Sequence, residues 1–101
     1  MKDMYGLIAK LTVVPGKRAE LVHILSASAV SMPGCFSYVV AEDPSDENIL
    51  WVTETWESRT AHDASLQLRA VQQAIPLAKN LITSFERIAE TRPVWCAERG
   101  E

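Results

Sequence analysis

Three residues near the middle of the chain have types suited to acid–base chemistry: Glu54, Trp56 and His62. An imidazole with an ordinary pKa near ~6.5 takes up and releases protons at neutral pH. A carboxyl group among apolar neighbours must be paired, hydrogen-bonded or neutral. An indole offers a broad wall and a single donor. Each residue also has a plainer reading. Glu54 is either a pocket group or half of a structural ion pair with Arg87 or Lys10. Trp56 is either core or the wall of a site for a flat ligand. His62 is either a proton shuttle or a helix-start histidine bonded to backbone. The other histidine, His23, falls near the polar side of a helix and reads as a solvated surface residue.

Other chemistries lack their residues. Pro15-Gly16-Lys17 has neither the upstream glycine nor the Ser/Thr of a phosphate loop. No GxGxxG fingerprint is present, and no nucleophile-elbow context surrounds any Ser or Cys. His62 and Asp63 are adjacent, so on a helix they would point about 100° apart. No metal site is expected. The two cysteines, Cys35 and Cys96, form no CxxC pair and read as reduced thiols. Ten Lys+Arg against 13 Asp+Glu leave a net charge of −3. That balance argues against nucleic acid or a membrane surface as a partner. Lys10 interrupts the first apolar run before it could serve a signal peptide, and nothing approaches the ~20 apolar residues of a membrane span. A cytoplasmic protein is expected. The length of 101 residues predicts a single domain over 1–101, with a core at about 5–90 and a C-terminal tail at 91–101.

The elements that must position the three residues read β-α-β-β-α-β. Tyr5 to Val14 is rich in strand formers and ends at Pro15-Gly16. Leu21, Ile24, Leu25, Ser28, Ala29 and Met32 share one helical face, and Pro33-Gly34 closes that helix. Phe36 to Glu42 and Ile49 to Glu57 are strands joined by a polar loop, hence an antiparallel hairpin. Ser58, with Thr60 competing, caps a second helix, which breaks or kinks near Pro76. Thr83 to Glu90 is the fourth strand. This is the α+β, ferredoxin-like pattern: a four-stranded antiparallel sheet with both helices on one face. Leu50, Val52, Glu54 and Trp56 share one face of their strand, as do Leu7, Ala9, Leu11 and Val13 of theirs. Large apolar groups also occupy the opposite faces, as with Trp51 and Ile8. A sheet apolar on both faces is covered on both, so a homodimer packed sheet on sheet is expected.

The run Trp56-Glu57-Ser58-Arg59-Thr60-Ala61-His62 carries a resemblance. So do Pro33-Gly34-Cys35, Glu42-Asp43-Pro44, Thr53-Glu54-Thr55 and Val71-Gln72-Gln73-Ala74-Ile75-Pro76. In order and spacing these resemble the antibiotic-biosynthesis-monooxygenase family, in particular its small quinol-monooxygenase-like bacterial members. The resemblance implies a dimeric α/β barrel. It also implies oxidation of an electron-rich aromatic, quinol or anthrone, by O₂ with neither metal nor flavin. On this reading His62 is the base or proton shuttle, Trp56 the stacking wall and Glu54 an orienting partner, with Tyr38, Leu7, Ala9 and Phe85 as lining. Val52 stands where anthrone-oxidising relatives carry an asparagine, and Gln72 lies near their arginine. The haem-degrading branch uses an Asn-Trp-His set whose matching positions are Ala9, Ser65 and Ile75, so no haem degradation is expected. Two further functions stay open: a non-catalytic dimeric ligand-binding or accessory protein, and a cofactor-free isomerase of a small signal molecule.

Overall fold

The computed structural model describes residues 3–97; the first two positions and the tail beyond 97 lie outside the described residues. The elements are β1 (Tyr5–Val13), α1 (Arg18–Ser28), β2 (Cys35–Glu42), β3 (Ile49–Trp56), α2 (Arg59–Ser65), α3 (Arg69–Lys79) and β4 (Ile82–Thr91). The sheet order is β2-β3-β1-β4, with every pairing antiparallel. This is the ferredoxin-like arrangement that strand alternation and short connections predict. Among the described residues no helix is long and apolar enough to cross a membrane.

Register stacks side chains in rows across the helix-facing side of the sheet. One row is Tyr5, Trp56 and Cys35; the next is Leu7, Glu54 and Tyr38; the next is Ala9, Val52 and Val40. Period-2 alternation puts all three rows on one face. Leu21 of α1 and Leu50 of β3 are fully buried at the centre of the main core. A smaller cluster of Tyr5, Leu7 and Trp56 lies beside it, under the start of α2.

Two features position α2. Ser58 caps it, its Oγ accepting from the Ala61 amide at 3.1 Å. Gly34 sits in the turn before β2 with φ +82, and its carbonyl accepts from the Glu57 amide at 2.7 Å. Only glycine takes that backbone conformation without strain.

The second helix does not break at Pro76. It breaks earlier, where the amides of Leu66, Gln67 and Leu68 each bond to the carbonyl three residues back. That tightened turn ends α2, and Leu68 then adopts extended backbone (ψ 141) and starts α3. Pro76 lies inside α3 and removes one helical bond, to the carbonyl of Gln72. Both residues are exposed, so water can serve that carbonyl. No Gly or Pro marks the real break, which is why the spacing does not reveal it.

On the opposite face of the sheet, Val39 is 50% exposed and the Lys10 ammonium lies 5.8 Å from the centre of the Trp51 ring. Lys10 therefore does not pair with Glu54. Beyond β4, Val94 and Trp95 are exposed at 92% and 79%.

Candidate active site

A cavity of about 130 Å³ lies between the sheet and the helices, with Tyr38, Glu54 and Trp56 as its floor. His62 and Ser65 of α2 and Ile75 of α3 close it from above, and Leu25 of α1 from the side. Glu54 reaches it because β3 places its side chain between Leu7 and Tyr38 on the helix-facing side.

Glu54 and Trp56 are two apart on one strand face, so their side chains meet. The indole Nε1 donates to Glu54 Oε1 at 2.9 Å. His62 Nε2 is 3.9 Å from the same oxygen, too far for a direct hydrogen bond. Burial pushes the Glu54 carboxyl above its usual range, against the opposing pull of the Trp56 N–H and then of His62 and Arg87. The sheet thus holds a carboxyl group whose proton is easily kept.

The imidazole is clamped from three sides. Its ring meets Trp56 edge-on, at 5.5 Å between centroids and 83° between planes. Tyr5 packs against it at 5.2 Å. Its Nδ1 lies 3.1 Å from Asp63 Oδ1. This last contact overturns the expectation that the two neighbours point apart. Their backbone vectors diverge, but both side chains rotate toward each other. Asp63 is largely exposed; the tautomer that carries its proton on Nδ1 donates to this carboxylate and turns the Nε2 lone pair toward Glu54 and the cavity.

Tyr5 is itself tethered. Its hydroxyl donates to Glu90 Oε2 at 2.5 Å, and Arg87 and Arg59 flank that carboxylate at 3.1 and 3.4 Å. The hydrogen bond from Tyr5 is the main reason the Glu90 carboxyl titrates below its usual range. Arg87 is therefore committed to Glu90 and Tyr5 and makes no ion pair with Glu54.

Tyr38 completes the floor. Burial first, and then the Glu54 charge, push its hydroxyl far above the ordinary phenol value. It is a donor and never a base at working pH. Among the described residues no group hydrogen-bonds that hydroxyl.

Five of the ten residues singled out from the sequence meet at this cavity: Glu54, Trp56, His62, Tyr38 and Ser65. The Ser65 hydroxyl is already spent on the His62 carbonyl, at 2.6 Å. The other five do not line it. Val52 and Ala9 belong to the main core and Leu7 to the smaller one. Phe85 faces the helix side of β4, but at the sheet edge beyond the helices, where it is 55% exposed beside Lys79. Gln72 is exposed, its amide donating to the Leu66 carbonyl at the end of α2. Two contributors were not foreseen. Tyr5 continues the face of Leu7 and Ala9 by one more step of two, a signal present in the alternation. Asp63 had no signal beyond adjacency. Among the described residues no three His, Cys, Asp or Glu side chains gather as metal ligands.

The family model described as antibiotic biosynthesis monooxygenase matches residues 4–77. A solved structure of an antibiotic biosynthesis monooxygenase candidate from Chloroflexus aurantiacus is 49% identical, covers 96% of this chain and 99% of its own, and superposes with a TM-score of 0.91. One of the same description from Caulobacter crescentus is 21% identical over 93% of this chain and 92% of its own, with a TM-score of 0.83. A Pseudomonas aeruginosa protein is 19% identical over 94% of this chain and 98% of its own, with a TM-score of 0.81. The last two share the fold. No curated protein sequence matches.

Proposed function

Because the chain belongs to the antibiotic biosynthesis monooxygenase family, we propose that it oxidises a single-ring phenol or dihydroquinone with O₂. The observation that carries this reading is the His62 ring, held at Nδ1 by Asp63 with its Nε2 toward a raised-pKa carboxyl group in an aromatic-walled cavity. Size sets the substrate class. A cavity of about 130 Å³ compares with the ~150 Å³ that accepts benzene, and is well below the ~300 Å³ at which drug-sized pockets begin. One ring fits the inner cavity; a tricyclic anthrone does not.

In this mechanism His62 Nε2 removes the phenolic proton, and Asp63 stabilises the imidazolium that results. Tyr38 donates to the phenolate oxygen. The phenolate passes one electron to O₂, and the superoxide and phenoxyl radicals combine at a ring carbon. Loss of that carbon's proton and of hydroxide leaves a carbonyl. Phenol plus O₂ gives quinone plus water, so the substrate supplies all the electrons. The site contributes orientation, a base and exclusion of water.

Oxygen uptake with single-ring phenols and dihydroquinones tests this, with His62→Ala alongside. Uptake should fall by about 10²–10⁴-fold in the variant, the usual worth of a positioned base. Equal uptake in both proteins removes His62 from the chemistry. Ligand binding with no uptake in either favours the non-catalytic ligand-binding reading.

The proposal includes a homodimer, with a second copy covering the face that holds Trp51 and Val39, and Val94 and Trp95 reaching the partner. Sedimentation equilibrium at micromolar concentration should give twice the chain mass; a monomer refutes it.

A further inference from the structure

A regular strand would put Arg87 and Glu90 on opposite faces, since they are three positions apart. In β4 both stand on the helix side. The register against β1 slips there: Ile8 lies opposite Ala89 but Ala9 lies opposite Arg87, so Ile88 is an extra residue. Such a bulge re-aims the side chains beside it. Here it gives Arg87 the row of Ala9 and Glu90 the row of Leu7, on the face that carries Tyr5 and Trp56. The two side chains meet at the Tyr5 hydroxyl, which donates to Glu90 Oε2 at 2.5 Å and accepts from Arg87 Nη1 at 3.3 Å. The Tyr5 ring in turn carries two side chains of α2. The Arg59 guanidinium lies 5.4 Å from its centre and the His62 imidazole 5.2 Å. Those two residues are three apart on a helix and share a face.

We propose that Tyr5 and Glu90 are positioning residues for His62: the bulge in β4 delivers Glu90 to the Tyr5 hydroxyl, and the tethered Tyr5 ring holds the imidazole over Trp56. This rests on the reading of His62 as the base and extends it to what sets the direction of its ring. His62 lies on a cross-strand pair of rings, Tyr5 opposite Trp56. Each ring is tied by its polar edge to a carboxyl group, Trp56 to Glu54 and Tyr5 to Glu90. Neither Tyr5 nor Glu90 lines the cavity, so both act through the imidazole. The ion pairs of Glu90 with Arg59 and Arg87 are exposed, and pairs of that kind contribute little stability by themselves.

The test combines proton NMR of the imidazole with oxygen uptake on hydroquinone. The chain has two histidines, so His23→Gln assigns the signals, and the exposed His23 is the reference. Ring currents of Tyr5 and Trp56 should displace the His62 ring protons from those of His23. Tyr5→Phe keeps the ring and removes the tether. It should move the His62 signals and lower kcat by about 10- to 100-fold with KM unchanged, the scale on which small misplacements act. Glu90→Ala should follow it in smaller measure, because Arg87 still reaches the hydroxyl. Glu90→Gln keeps an acceptor for Tyr5 and should match the parent on both readouts. The double variant Tyr5→Phe/Glu90→Ala should be no worse than Tyr5→Phe, since one bond is lost in both. Parent-like His62 signals in Tyr5→Phe overturn the inference. So does a loss in Glu90→Gln as large as in Glu90→Ala, which traces the effect to the ion pairs. Signals that move, with no uptake in any protein, keep the tether and remove the oxidation; uptake in the parent with unmoved signals in Tyr5→Phe does the reverse.

Discussion

Gly34→Ala should damage both the fold and the site, and the structure supplies the size of the effect. The glycine has φ +82, which costs an L-residue about 1–2 kcal/mol. An added Cβ would lie 2.7 Å from the Ala61 Cβ, against about 3.5–4.0 Å for carbons in contact. The first turn of α2 must then retreat by roughly 1 Å, an overpacking cost of about 1–3 kcal/mol. The total is about 2–5 kcal/mol out of a typical ~5–15. For a chain of this size it lowers Tm by roughly 10–30 °C. Ala61 is adjacent to His62, so the same retreat moves the imidazole off Trp56 and Glu54.

A double-mutant cycle separates the two causes. Ala61→Gly alone should cost about 1 kcal/mol of helix propensity. In the double variant the clash is gone and the backbone strain remains. Its loss should be about 2–3 kcal/mol, short of the sum of the single losses by about 1–3 kcal/mol. Urea unfolding at one fixed protein concentration measures all four proteins. Additivity within about 0.5 kcal/mol, or a Gly34→Ala variant as stable as the parent, refutes the argument that this contact seats α2.

Two further substitutions test the site's surroundings. Glu54→Gln keeps an acceptor for the Trp56 indole but cannot ionise. Burial raises the Glu54 carboxyl, so its contribution to stability is complete below the unfolded value near ~4.3 and is lost as pH rises through the folded value. The variant should therefore exceed the parent in urea midpoint at pH 8, with the gap closing toward pH 4; a gap independent of pH contradicts the assignment. Ser58→Ala leaves the Ala61 amide without its side-chain acceptor and should cost about 1 kcal/mol, read as a lower Tm. An unchanged Tm would mean that the cap does not hold α2.

The sequence by itself determined the architecture and the central group of the site. Alternation in β1 and β3 depends on neighbours two apart, so it grouped Leu7 with Ala9, and Val52 with Glu54 and Trp56, on one face of their strands. It could not say which of them border a void. Val52 and Ala9 proved to be packing, because α1 and α3 press directly on that part of the sheet. The N-cap at Ser58 was equally local and equally legible. Three features were decided only in three dimensions. Register across two strands set Tyr38 opposite Glu54. Side-chain rotation, which helical spacing does not constrain, brought Asp63 onto His62. The end of α2 at Leu66–Leu68 came from a tightened turn with no residue to mark it, and it placed Ile75 and Pro76 in a separate helix. Short-range periodicity fixes the face on which a side chain stands. What that face meets depends on contacts between residues far apart in the chain, and these exist only after folding.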